Sequence, residues 1–250
     1  MRPLVDSPDH LVIKSDETSA RVQARNFWHW VFVGASAAYH CIAPHRNAEV
    51  IQAVMGQLVA AVWVCDCFSA RLKAPTKVFQ LCLQHQLRDP QRVLDQWPRC
   101  AWAARLQGLF REAIHLKHRF DCPQPELTLG GYLRRTTEIE NRLGGLLEQR
   151  LSRPEALKLQ DRFSRHRDKL LTFLYYPEVP PTNNQSEQAL RPSVIHRKVT
   201  NGFRSEWGAQ AYADLQSIIA TAKLKGQKVF EELINLMGTP VLHFLEASSP

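Results

Sequence analysis

Several features are missing from this 250-residue chain, and each absence closes off a class of function. No uninterrupted apolar run reaches the ~18–20 residues of a membrane span. The N-terminus, MRPLVDSPDHLVIKSDE, lacks the apolar core of a secretory leader. Six Cys stand without the spacing of a small disulfide framework, which predicts a reducing, cytoplasmic setting. There is no Gly-rich phosphate loop, which argues against ATP use, and no G-x-S-x-G elbow to support a hydrolase nucleophile. Internal repeats and low-complexity tracts are also absent. One local absence is more pointed. The 17 residues after Glu187 contain no carboxylate but hold four cations, Arg191, Arg197, Lys198 and Arg204.

What is present fits a globular protein with a sizeable core: 44% hydrophobic and 22% charged residues. The net charge of +8 favours polyanionic partners, above all nucleic acid. The first ninety residues read as strands with one or two helices. HLVIKSDE is a short apolar run ending in acids. NFWHWVFVG is rich in aromatic and β-branched residues, and YHCIA is a third short strand; the three are expected to form an antiparallel meander. NAEVIQAVMGQL has helical spacing, with Val50, Val54 and Leu58 at i, i+4 and i+8. AAVWVCD reads as a buried strand ending at Asp66. VFQLCL follows as a fifth strand, leading into a helix near His85–Leu94.

From about Arg92 to Leu174 the strand signal stops. Leu dominates, Val and Ile are scarce, and charge-laced amphipathic helices follow one another. The expected organisation is therefore α/β in three parts: a mixed-sheet core over 1–91, an all-α insertion over 92–174, and a C-terminal helical part of the core over 175–250. In the last part, Tyr212, Leu215, Ile219 and Ala222 share one helical face, with a stop at Gly226. A final helix is expected over about Lys228–Leu236, ended by GTP.

The segment PPTNNQSEQALRP carries the most informative acid. Thr182 and Gln185 have capping-box spacing, and Pro192 disfavours continuation, so a short helix over about Asn183–Leu190 is expected. Asn183, Glu187 and Arg191 then share a face. Glu187 could simply pair with Arg191 on the surface, which would contribute little. Two other acids weigh against that plain reading. Asp16 is expected at the end of the first strand and Asp66 at the end of the fourth. Two Asp at strand ends with a Glu on a late helix suit metal-dependent phosphoryl transfer, because Mg²⁺ takes hard oxygen ligands.

The blocks SDETSARV, VWVCD, QLCLQHQLRD, HRDKLLTFL, VPPTNNQSEQALRP and HRKVTNGFRSEWGA occur in an order that resembles the IS66 family of bacterial transposases. The resemblance spans about Leu11 to Leu233. It implies an RNase H-like core interrupted by the helical insertion, with Asp16, Asp66 and Glu187 as a DDE-type catalytic triad holding Mg²⁺ or Mn²⁺. It implies DNA as the partner, both transposon ends and target, with action as a homodimer or higher oligomer in the bacterial cytoplasm, associated with the nucleoid. His85, in a C-x-x-H element with Cys82, is implied to help organise the site, with Asn183 and Asn184 supporting it. The chain departs from the family pattern at Thr182, Gln188, Ser19 and Cys67-Phe68. The long N-terminal region typical of the family, with its zinc-binding and end-recognition elements, is not found here. The chain is therefore read as the catalytic part, and the alternative is a non-catalytic DNA-binding remnant.

Two further readings concern the same residues. Cys65, Cys67, Cys82 and His85 could form a tetrahedral zinc site, although core packing is the favoured reading. Arg191, Arg197, Lys198 and Arg204 are expected to neutralise phosphates. Phe203 and Trp207, interleaved with them, are expected to pack in the core rather than stack on bases.

Overall fold

The computed structural model describes residues 11–122 and 127–238. They form an α/β protein with a five-stranded mixed sheet of order β3-β2-β1-β4-β5 and eight helices. The strands are β1 (Val12–Val22), β2 (Arg25–Val33), β3 (Ala38–Ala43), β4 (Ala60–Cys65) and β5 (Thr76–Leu81). β1 runs parallel to β4, and β4 parallel to β5, whereas β2 and β3 are antiparallel. The described residues divide into two compact units, one of residues 11–14, 47–122 and 127–184, the other of 15–46 and 185–238.

In the first unit β4 is buried at every position, so its sequence, AAVWVC, carries no polar alternation. Its helices are α1 (Ala48–Met55), α2 (Leu83–Gln96), α3 (Ala101–Asp121), α4 (Leu129–Glu148) and α5 (Pro154–Arg165). Between β5 and residue 174 the described residues contain helices and short 3-10 turns but no strand. β5 is the last strand of the sheet, and its flank is covered by chain from that helical stretch. Gln80 donates to the Leu170 carbonyl and accepts from Phe173 N–H, while the Thr172 hydroxyl donates to the Phe79 carbonyl at 2.7 Å. These bonds supply partners that an edge strand otherwise lacks.

The second unit is built on the β1–β2–β3 meander and three helices: α6 (Asn184–Thr200), α7 (Glu206–Leu224) and α8 (Val229–Gly238). Gln23 and Ala24, both at positive φ, form the two-residue turn between β1 and β2. That twist matches a tight hairpin. The opposite sheet edge, β3, is closed by α7. Ser217 and Thr221, one turn apart, accept the N–H groups of His40 and Ala38 at 2.8 and 3.0 Å.

Three expectations change. β1 does not stop at the acids, so Asp16 lies inside the strand rather than at its end. Glu17 is buried but neutralised by Arg46 at 2.6 Å, and β2 supplies a neighbour for the second half of the strand. The expected strand start at His10 lies outside the described residues, as do the last two residues of the GTP stop. The helix carrying Glu187 is not short, because α6 continues through Pro192 to Thr200. A helix-interior proline costs about 3 kcal/mol. Tertiary packing offsets it: Leu190 packs with Val31, Val33 and Ala38, and Arg197, a turn past the proline, bonds to β1. α6 also begins at Asn184, which puts Asn183, not Thr182, at the cap position. Finally, α7 does not bury Leu215. Its buried positions are Ala209, Ala213 and Ala222, because hydroxyl-to-strand bonding needs close approach and hence small side chains.

Candidate active site

Asp66 follows directly on β4, where the chain turns sharply. Its Oδ1 accepts the N–H of Phe68 at 2.8 Å, a side-chain-to-backbone bond typical of such turns. The turn continues into a 3-10 helix, Arg71–Lys73, and brings Arg71 back so that its guanidinium donates to Asp66 Oδ2 at 3.2 Å. Arg71 is only 1% exposed. A buried cation is tolerated only when paired, so this arginine and Asp66 hold each other. Each carboxylate oxygen of Asp66 accepts one bond here, and an ionised carboxylate has about four acceptor positions, so capacity remains for a further cation. Sequence reasoning missed Arg71. Its only signal was a position five residues past Asp66, in an otherwise ordinary SARLK run.

The candidate zinc ligands do not gather into a four-ligand group among the described residues. Cys65 and Cys82 are buried, and burial pushes the Cys65 thiol up, partly countered by Arg71. Burial also raises the Cys67 thiol, which contacts Gln86. Cys82 has a structural task. Its N–H donates to Cys65 O at 2.7 Å, and its Sγ accepts the N–H of the fully buried Asn183 at 3.1 Å. With Leu83 N–H on Pro181 O, this anchors the PPTNN segment to the start of α2, where His85 occupies the first turn. Asp66, His85, Asn183 and the exposed Asn184 all belong to the first unit.

Asp16, Glu187 and the four basic residues belong to the second unit. Asp16 is half-buried on β1, and its Oδ1 accepts the N–H of Glu17. The two neighbours differ in kind. Glu17 is a structural acid, buried and held by Arg46, which also lies 4.6 Å from the centre of the Trp28 ring. Glu187 is half-buried in the first turn of α6, where the positive end of the helix dipole favours a carboxylate. Arg191 is exposed and makes no ion pair among the described residues, so the plain alternative of a Glu187–Arg191 surface pair is not formed. Lys198 and Arg204 are likewise exposed without an ionic partner among the described residues. Arg197 differs, since it docks on Ser19 through both the hydroxyl and the carbonyl.

The NGF triplet after α6 has a clear physical cause. Asn201 and Gly202 take positive φ, turning the chain so that Phe203 bridges Val22 at the end of β1. Phe203 N–H donates to Arg21 O at 2.7 Å, and Gln23 N–H donates to Phe203 O at 2.9 Å. A Cβ on Gly202 would lie 2.4 Å from the Arg21 carbonyl oxygen, so only glycine fits. Phe203 is half-buried against Ala20, Val22, Phe27 and Ala209, as expected for a packing residue, and stacks on His196. Trp207 does not pack in the core. It is 81% exposed, which corrects the expectation.

Among the described residues no helix is long and apolar enough to cross a membrane. No solved structure matches the chain. Over 81 residues it is 35% identical to a protein of Sinorhizobium fredii called "Uncharacterized protein y4jO", a match covering 32% of this chain and 25% of that relative. The chain thus spans about a quarter of the length of the curated relative it matches. A sequence model of the transposase IS66 family matches residues 7–211, most of the chain. With that extent of match, the chain belongs to the IS66 transposase family.

Proposed function

We propose that the chain is the catalytic region of a DDE-type DNA transposase, with Asp16, Asp66 and Glu187 as its acids. On this reading the mixed sheet is an RNase H-like core, and residues 92–174 are a helical insertion within it. Beyond family membership, one observation carries the proposal. In the parallel pair β1–β4, Lys14 lies opposite Val64, and Asp16 and Asp66 each follow those residues by two positions. Each of two adjacent parallel strands thus leads, two residues past a paired position, to a carboxylate.

The donor set suits Mg²⁺ or Mn²⁺: three carboxylates, all hard oxygen donors, with acceptor capacity left on Asp66. When bound, such an ion supplies charge stabilisation to the reacting phosphoryl group and lowers the pKa of an attacking oxygen. The chain's own residues position the parts. Arg71 and the Phe68 N–H fix the Asp66 carboxylate in one orientation. Arg191, Lys198 and Arg204 take backbone phosphates without reading sequence. Water attacks the phosphorus at the element's end, the P–O3′ bond breaks, and the element keeps a 3′-hydroxyl. That hydroxyl then attacks a target phosphorus in line; the target's own P–O3′ bond breaks and leaves a target 3′-hydroxyl as the element is joined to the target 5′ side. Paired ends call for at least a dimer.

The test is nicking of supercoiled DNA in Mg²⁺ or Mn²⁺. Asp66→Ala is expected to abolish it; unchanged nicking would refute the mechanism. DNA binding without metal-dependent cleavage by the wild-type chain would favour the binding-remnant reading.

A further inference from the structure

We propose that Trp207 and the pocket beside it form a subsite for an unpaired nucleobase of the DNA strand. The six tryptophans of the chain fall into contrasting settings. Trp30 and Trp102 are buried and hydrogen-bonded through their indole N–H, and Trp63 is buried in β4. Trp28 and Trp97 are covered by the guanidinium groups of Arg46 and Arg153. Trp207 alone has no partner among the described residues, and it is the most exposed of the large apolar side chains there. Leaving an indole in water forgoes the burial that so large a ring normally gains.

The position is a rigid one. Trp207 lies in the first turn of α7, whose start is fixed by the Ser205 side chain accepting the Gly208 N–H at 3.0 Å and by the NGF bridge before it. Beside the ring is a pocket of about 480 Å³. Phe27, Ile42, Pro44 and Ala209 give it an apolar lining, to which Gln210 adds an uncharged polar side chain. The Arg25–Glu206 ion pair, at 2.9 Å, neutralises the one charge of each sign in its lining. A flat, uncharged ligand with hydrogen-bonding edges matches such a lining, whereas a phosphate does not. A cation is close in sequence: Arg204, three residues before Trp207, is exposed and without an ionic partner among the described residues. A stacked base in the pocket with its phosphate at Arg204 satisfies both features at once. Stacking on an aromatic ring requires an unpaired base, since a duplex hides the faces of its bases. The occupant is therefore single-stranded DNA at a frayed or cut end.

This inference rests on DNA being the substrate, and the experiment separates the two. The full chain is titrated with a single-stranded oligonucleotide and with a blunt duplex of the same length, for wild type, Trp207→Ala and Trp207→Phe. Removing one base-stacking aromatic is expected to weaken single-strand binding about 5- to 150-fold. Duplex binding and its salt dependence should stay at wild-type values, and Trp207→Phe should recover most of the loss. Equal single-strand binding by wild type and Trp207→Ala, with duplex binding intact, overturns the subsite while leaving DNA as substrate. Failure of the wild type to bind either DNA overturns both. A change of oligomeric state in Trp207→Ala, with DNA affinities unchanged, would assign the indole to a contact between copies and also overturn the subsite.

Discussion

Replacing Gly202 by alanine perturbs the turn that joins α6 to α7. The residue sits at φ +122°, a conformation L-residues rarely adopt, and a new Cβ would meet the Arg21 oxygen at 2.4 Å and the Arg21 Cβ at 2.8 Å. Backbone strain of this kind costs about 1–3 kcal/mol. The obstacle is backbone, so the clash is relieved only by moving Phe203 away from β1. That sacrifices the Arg21–Phe203 and Phe203–Gln23 hydrogen bonds, worth about 1 kcal/mol each. The sum is about 3–5 kcal/mol, a large part of the 5–15 kcal/mol typical of a domain. Urea unfolding followed by circular dichroism should show the midpoint falling with little change in slope. A Gly202→Ala chain within about 1 kcal/mol of wild type would refute the close-approach argument.

The remaining predictions concern buried charge. His29 and His40 share a 3.0 Å hydrogen bond inside the second unit, and burial pushes His40 down to about 4 and His29, with its histidine neighbours adding, down to about 3. In the unfolded chain both titrate near 6.5. Below that pH the unfolded state binds protons the fold refuses, so stability falls as pH drops from 6.5 towards 4, by about 1.4 kcal/mol per unit for each histidine. Acid titration of the wild type against a His29→Leu/His40→Leu chain checks this, and a wild type with undiminished stability at pH 4.5 would contradict it. Arg46→Ala strands the buried Glu17 carboxylate and should cost about 3–5 kcal/mol in chemical unfolding, with Glu17→Gln in the same background restoring part of it. No rescue would mean that Arg46 acts through its packing on Trp28 instead.

The β2, β3 and β4 strands were legible because each is a local run of aromatic, β-branched or apolar residues, and α1 was legible as a helix, although its buried face is Ile51 and Met55 while Leu58 of the expected stripe lies exposed beyond its end. The placement of Asp66 directly after β4 followed from the same patterning. Features set by partners distant in sequence were not legible. β1 looked finished at Asp16-Glu17 because the neutralising Arg46 lies 29 residues away. Pro192 signalled a helix end that the packing of Leu190 overrode. α7 carries a plausible apolar stripe through Leu215, yet the sheet edge needs the hydroxyls of Ser217 and Thr221, which turns the helix to its small-residue face. Nothing in SARLK announced that Arg71 would be buried on Asp66. Trp207 reads as a core residue in any sequence and is identified as a surface residue only by its exposure.

The central claim is that three acids from separate segments act as one metal-dependent centre. Metal-dependent nicking of supercoiled DNA by folded Asp16→Asn, Asp66→Asn and Glu187→Gln chains tests it most directly, since each change removes a ligand charge at nearly constant shape. The account predicts that each falls by about 100-fold or more relative to wild type, consistent with several kcal/mol of lost transition-state stabilisation. Wild-type nicking by any one of the three, Glu187→Gln above all, would contradict it.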